Sequence, residues 1–286
     1  MVNKNTFLTA KPILYLLLLQ LTAFAASGCA AKAPIKITDS IKVENRLMQS
    51  EQINIEKPRD YFTIGERLVY EIRWLGAVVG EVVSTVKGIE DINGHAAYVV
   101  ELTAKTNDFC SKIYRIDDKY VSYIDREKLI TLKHIAKRSE GRYRKDAVTV
   151  FDQFNHKAYF ENHTDNTKKV FDIPENVQDT LSAVYYFRTA DIKIGDKIYY
   201  KVVNNEEPYD FFALVKNKVF VATEKGKNYE TFYVEPYASL KGQRYKKGKA
   251  SGYVSTDDLR IPVLGVIKAP LFTKLIVSLS RIDRAN

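Results

Sequence analysis

The stretch GEVVSTVKGIEDINGHAAYVVELTAKT, residues 80–106, reads as two strands joined at Asn93-Gly94. That dipeptide supplies the positive φ angles of a tight hairpin turn. Just upstream, RLVYEIRWLG (67–76) alternates Leu68, Tyr70, Ile72 and Trp74 with Arg67, Val69, Glu71 and Arg73. Period two with one apolar set marks a half-buried strand. Downstream, residues 119–164 continue as a meander with turns near Asp125-Arg126-Glu127, Glu140-Gly141 and Asn155-His156.

One segment breaks the period. IPENVQDTLSAVYYFR (173–188) places Val177, Leu181, Val184 and Tyr185 at helical spacing, one face of a helix. Pro174 suits a first helical turn and Glu175 complements the dipole there, so a helix is expected near 174–188. Beyond Gly195-Asp196 a second strand series follows: KIYYKVVN, YDFFALVKNKVFVATE, YETFYVEPY, KASGYVSTDD, RIPVLGVIKA and FTKLIVSLSRI. About a dozen strands cannot lie in a flat open sheet. The expected fold is all-β with one main helix: a strongly curved antiparallel sheet or partial β-barrel. The helix would lie over one mouth or across the concave face. The 19 tyrosines suit strand faces that are apolar at the ring and wet at the hydroxyl.

Lys4 and Lys11, the apolar ILYLLLLQLTAF and the small residues after it have the layout of an export signal. The apolar core is shorter than the roughly 20 residues a spanning helix needs. Ala26-Ser27-Gly28-Cys29 resembles the lipobox of bacterial lipoproteins, with Ala26 where leucine is usual. The resemblance implies cleavage between Gly28 and Cys29 and acylation of Cys29, and more than one acyl chain gives stable membrane anchoring. Ala30, where aspartate would signal inner-membrane retention, points to the outer membrane, facing the periplasm. The expected organisation is a signal over 1–28, the acylated cysteine and a polar tether over 29–60, and a single β domain over 61–286. Such a tether spans roughly 30 Å.

Three stretches, GERLVYEIRWLGAVVGEV (65–82), VQDTLSAVYYFR (177–188) and GYVSTDDLRIPVLGVIKAPLFTKLIVSL (252–279), resemble the bacterial envelope family catalogued as domain of unknown function 3108. The last departs from the usual form at Tyr253, where tryptophan is common, and at Ala269-Pro270. The resemblance implies a secreted, mostly β domain and no activity that could be transferred to a residue.

The 286-residue chain carries a formal charge of +9, which solubility alone accounts for; it also suits anionic head groups or lipid A phosphates. With Cys29 acylated, Cys110 has no partner for a disulfide, and it reads as a small buried hydrophobe beside Phe109 rather than a catalytic thiol. His156 and His163 are seven apart, hence on opposite strand faces, which suits turn histidines better than a shared metal. Asp257-Asp258 suits a turn better than a catalytic dyad. Hydrolase, P-loop and paired-cysteine motifs are absent from the sequence; no catalytic residue, metal, cofactor or nucleic-acid module is expected. Two basic clusters, KHIAKRSEGRYRK (133–145) and KGQRYKKGK (241–249), read either as lysine-protected strand edges or as an anionic-ligand surface. Its contacts would be Lys133, Lys137, Arg138, Arg142, Arg144, Lys145, Arg244, Lys246 and Lys247. The leading functional expectation is a non-enzymatic envelope lipoprotein binding a lipid, glycolipid or other amphiphile; the alternative is a scaffold binding another envelope protein.

Overall fold

The computed structural model describes residues 61–223, 225–268 and 273–284. Gly28, Cys29, the signal and the tether lie outside the described residues. The first strand series is β1 (Arg67–Trp74), β2 (Ala77–Ile92), β3 (His95–Thr106), β4 (Asp117–Asp125), β5 (Thr131–Glu140), β6 (Tyr143–Asp152), β7 (Lys157–Asn162) and β8 (Thr167–Asp172), with a short helix α1 (Asp108–Ser111) between β3 and β4. After β9 (Gln178–Asp179) and helix α2 (Ser182–Arg188) come β10 (Lys197–Asn204), β11 (Glu207–Ala222), β12 (Asn228–Leu240), β13 (Lys246–Lys247), β14 (Ala250–Ser255), β15 (Pro262–Lys268) and β16 (Lys274–Asp283).

All strands belong to one sheet, ordered β8-β7-β6-β5-β4-β3-β2-β1-β16-β15-β14-β12-β11-β10-β9, with β13 on β12. Each half is a meander, and β1 pairs antiparallel with β16 where the halves meet. Parallel pairing occurs at the β9–β10 edge. The Asn93-Gly94 hairpin forms as expected, with φ of 54° and 85°. Register shifts interrupt β1, β2, β4, β11 and β14. Such bulges bend and twist the ladder, which is how so long a sheet curls. It does not close by a strand ladder: β8 and β9 remain its edges.

The pleat sends Leu68, Tyr70 and Ile72 inward, all buried, as the alternation predicts. Val69, expected outside, is buried too, at 3% exposure, beside the shift between Val69 and Tyr70. The main core joins these residues to Phe62, Val82, Tyr98, Leu181 and Tyr185. A second cluster packs Ala183 and Phe187 on β10, β11 and β12.

The helix expected near 174–188 is shorter: only 182–188 is helical. Val177 and Leu181 are buried as the helical spacing implied, but through a turn and a strand bridge. Asp179 is responsible. Its Oδ1 accepts from the N–H groups of Leu181 (2.7 Å) and Ser182 (3.0 Å), the side-chain bonding that starts a helix. An aspartate with this geometry starts the helix just after itself, while 175–176 form a turn with Asn176 at a φ of 54° and Gln178–Asp179 form β9.

Register sorts the loops into two ends of the sheet. The upper end holds the connections β1–β2, β3–β4, β5–β6, β7–β8, β10–β11, β12–β14 and β15–β16; the lower end holds the remaining ones.

Candidate functional site

The concave face is not filled. Between α2 and strands β1, β2, β11, β12, β14, β15 and β16 lies an apolar cavity of about 240 Å³. It exceeds the ~150 Å³ apolar cavity that takes up benzene and falls below the ~300–1,000 Å³ of drug-sized ligand sites. That is room for part of an amphiphile, such as one acyl chain, and not for a whole diacyl lipid.

Two glycines make the space. Gly252 and Gly265 face each other across β14 and β15, and a Cβ on Gly252 would meet nothing within 4 Å. Any larger residue there would project into the void between Val234 and Val277, which also line it. The roof is α2, through Leu181, Val184, Tyr185 and Phe187. Pro236, Ala250 and Ile267 carry the lining toward the upper end of the strands.

Polar groups are few and specific. The hydroxyls of Ser84 and Tyr185 share a 2.8 Å hydrogen bond. Tyr70 and Tyr200 also line the cavity, and neither hydroxyl has a hydrogen-bond partner among the described residues. Burial pushes all three phenols above their ordinary range, so they stay neutral and Tyr70 and Tyr200 offer O–H donors to an acceptor. At the far end Arg188 grips Glu66 through both nitrogens, Nη1–Oε1 2.7 Å and Nη2–Oε2 3.0 Å, and Nε donates to the Leu259 carbonyl. The guanidinium lies over the rings of Phe62 and Tyr185. Glu66, Arg188 and Leu259 come from the three stretches 65–82, 177–188 and 252–279, which thus meet at one ion pair.

A smaller recess of about 90 Å³ opens against β4, β5, β6 and the β10–β11 turn. Its charged groups answer one another. Lys145 and Lys169 both pair with Glu206 (3.2 and 3.1 Å), and His134 lies 3.3 Å from Asp179. Ser122, His134 and Asp179 resemble a nucleophile set only in composition. Ser122 donates directly to Asp179 Oδ1 at 2.8 Å and is fully buried, so no substrate reaches its oxygen; His134 faces both groups through the same Nδ1, 3.2 Å from Ser122 Oγ and 3.3 Å from Asp179, so no relay runs through the ring.

The residues expected to contact an anionic ligand do not form one site. Arg138 is a correction: it is buried, paired with Glu140 at 2.5 Å and near Asp118 at 3.9 Å, because its β5 position faces inward. Lys133 lies over the Tyr123 ring, Lys137 pairs with Asp146, Lys145 with Glu206 and Lys247 with Glu235. Arg144 donates to the carbonyls of Gly141 and Tyr143. Arg142, Arg244 and Lys246 are exposed. Cys110 is half-buried in α1 rather than buried as expected, and Phe109 beside it is 72% exposed, because the β3–β4 connection turns outward. His156 and His163 sit at opposite ends of β7. Asp257 occupies the β14–β15 turn, where its carboxylate accepts from the Ser255 hydroxyl.

Glu66, Arg188, Gly252 and Gly265 were not singled out from sequence. The signal available was the ionisable Glu66 and Arg188 inside otherwise apolar-patterned stretches, and the glycines at strand-interior positions, which mark close approach or open space.

A comparison with curated proteins found no match. Among solved structures, the chain is similar to a β-barrel-like protein of domain of unknown function DUF1849 from Brucella abortus, with a TM-score of 0.53 and 10% identity over 78% of this chain and 99% of that one. That likeness shows the fold alone. An exported-type protein with a YmcC-like fold from Bacteroides fragilis overlaps more loosely, with a TM-score of 0.31 and 12% identity over 78% and 97% of the two chains. The pattern of the family described as "Protein of unknown function (DUF3108)" matches residues 69–271. The match takes in most of the chain, the greater part of both meanders and the helix between them, and this protein belongs to that family.

Proposed function

We propose that the protein is a non-enzymatic, lipid-anchored envelope protein that holds the acyl chain of an amphiphile on its concave face. The observation that carries this reading is the apolar cavity of about 240 Å³ under α2. Its walls offer an acyl chain the ~25 cal/mol per Å² that apolar burial supplies. The unpartnered donors of Tyr70 and Tyr200 suit the carbonyl oxygens of a carboxyl or ester group at the head of such a chain. The export layout of the first 28 residues and the Cys29 lipobox support the envelope setting, with the outer membrane as the anchoring surface.

The test pairs detection with blockade. Native mass spectrometry of the protein purified from the envelope without detergent is expected to show a bound fatty acid, lipid or glycolipid mass. Gly252→Leu, which puts a side chain into open space, is expected to remove that mass and to weaken binding of a fluorescent fatty acid at least tenfold, with the melting temperature unchanged or raised. Tyr70→Phe with Tyr200→Phe is expected to weaken it by a smaller factor. If the parent protein bears no such mass and Gly252→Leu leaves fatty-acid binding unaltered, the reading falls, and a protein partner becomes the better one.

A further inference from the structure

Loops of the upper end touch one another in sequence around the rim, although the sheet itself is open. Trp74 Nε1 donates to Thr273 Oγ1 (3.1 Å), joining the β1–β2 and β15–β16 connections. Lys268 N–H donates to the Lys249 carbonyl (2.9 Å), and Lys241 pairs with Glu207 (3.3 Å). Glu206 pairs with Lys145, Gly141 N–H donates to the Arg115 carbonyl (2.7 Å), and Asn107 Nδ2 donates to the Val78 carbonyl (2.7 Å). Six of the seven upper connections, scattered over about 200 positions of sequence, therefore make one continuous rim.

Charge on this rim is one-sided. Lys112, Arg142, Arg244, Lys246, Lys249 and Lys268 are exposed and have no acidic partner among the described residues. Of the rim's acids, Asp117, Glu206 and Glu207 are each held by a lysine or arginine, which leaves Asp108, Asp165 and Glu81, the last level with Asp117 across β3. The lower end is mixed, with exposed Asp91, Glu127, Glu175, Asp257 and Asp258 beside exposed Lys128, Lys193, Lys227 and Arg284. Beside the cations the rim exposes large apolar side chains: Leu75 at 74%, Phe109 at 72% and Ile113 at 78%. They are neighbours, because Asn107 at the start of α1 binds the β2 backbone just after Leu75-Gly76.

Unpaired cations around protruding apolar side chains form the chemistry of a surface that meets anionic lipid: head-group charge attracts the one while the acyl boundary receives the other. We infer that the upper rim is a docking surface for an anionic lipid bilayer. Charge complementarity selects this occupant, since the unpaired charges of the upper rim are mostly basic, whereas those of the lower end are of both signs. Docking in this orientation brings the Pro236–Ala250–Ile267 side of the cavity to the bilayer, yet the inference stands on the rim alone and does not require the cavity to bind a lipid.

The experiment uses the chain from Cys29 onward carrying Cys29→Ser, which retains every described residue and removes the acyl site. Co-sedimentation with phosphatidylglycerol-containing vesicles is compared with pure phosphatidylcholine vesicles. The chain is expected to bind the former more tightly, and R142E/R244E/K246E is expected to lose roughly a hundredfold in affinity at low salt, from about one kcal/mol per basic residue near the surface. K87E/K128E/R284E changes net charge equally at exposed positions away from the rim and is expected to stay within about threefold of the parent chain, the larger effect being confined to the rim. F109S/I113S is expected to weaken the binding that survives high salt. Melting curves by circular dichroism confirm that each variant is folded. Failure of the parent chain to prefer anionic vesicles, or equal losses in the two charge variants, would overturn the inference.

Discussion

Asp179 and Asp118 are both buried carboxyls, at 2% and 0% exposure, and their surroundings drive them in opposite directions. Burial alone would raise Asp179, but the adjacent His134 and hydrogen bonds from Ser182 and Ser122 outweigh it and hold the carboxyl at about 2, below its ordinary 3.8. Asp118 is raised to about 7, chiefly by burial and by the Glu140 carboxylate, despite the Ser139 N–H and Arg138. For Asp179, folding favours the charged form. Its contribution, of order 2 kcal/mol, is complete above about pH 4 and is lost as pH falls toward 2. For Asp118, folding favours the proton, so its contribution is present below about pH 4 and is lost as pH rises toward 7. Urea unfolding as a function of pH is therefore expected to show an acid limb that Asp179→Asn flattens and a neutral limb that Asp118→Asn flattens. An acid limb of the same depth in Asp179→Asn would show that Asp179 is not its source. Neither residue stands out in sequence. Asp179 sits within a helical pattern and Asp118 within a polar strand start, and only the sheet's curvature brings Asp179 onto Ser122, Thr131 and His134.

The strands were readable because each carries its own period and its own turn chemistry. KIYYKVVN is β10 to the residue, and Asn93-Gly94 forms the hairpin that its dipeptide demands. Helix α2 was readable only in part, since Val177 and Leu181 satisfy a helical spacing while lying just before β9 and in the turn after it. What holds α2 was invisible, because its anchor joins residues 122 positions apart. Arg188 and Glu66 are 3% and 2% exposed, so removing one partner strands a buried charge, at a cost of about 3–5 kcal/mol. Arg188→Met is expected to destabilise by that amount. Glu66→Met combined with Arg188→Met is expected to recover most of the loss, because a well-packed apolar pair can replace a buried ion pair. Chemical denaturation of the two variants decides the matter: a double variant as unstable as the single one would mean that the Leu259 carbonyl contact or ring packing, and not the ion pair, docks the helix.

At the scale of the whole molecule, sequence dictated that so many strands must curl, and it could not say how the free edges would be managed. The β9 edge is tied to β5 and the β6–β7 turn by isolated hydrogen bonds rather than by a ladder. Thr131 N–H on β5 donates to the Val177 carbonyl (3.3 Å) just before β9. Gln153 completes the seam: Nε2 donates to the carbonyls of Thr131 (2.6 Å) and Val177 (3.1 Å), and Oε1 accepts from Val177 N–H (3.3 Å). Beneath it Phe151, Ala158, Ile173, Val177 and Val203 pack β6 and β7 against β10. Gln153 follows β6 in a stretch that reads as a turn, where a glutamine carries no signal of such a duty. The segment it secures leads within a few residues into α2, the roof of the cavity, so the seam controls how readily that roof can lift. Gln153→Leu keeps the size of the side chain and removes the Gln153 bonds from the Thr131 carbonyl and the Val177 N–H, while the Val177 carbonyl keeps Thr131 N–H; each group left unpaired costs about 1–3 kcal/mol if it stays buried. The strain is expected to be relieved by local opening, since the β9–β10 bridge involves only two residue pairs. Hydrogen exchange over 173–188 is then expected to accelerate at least tenfold while β1, β2 and β16 keep their protection, and exchange of a bound fatty acid is expected to accelerate with it. Unchanged exchange over 173–188 would place the closure of the sheet in the apolar packing below the seam, with Gln153 a bystander.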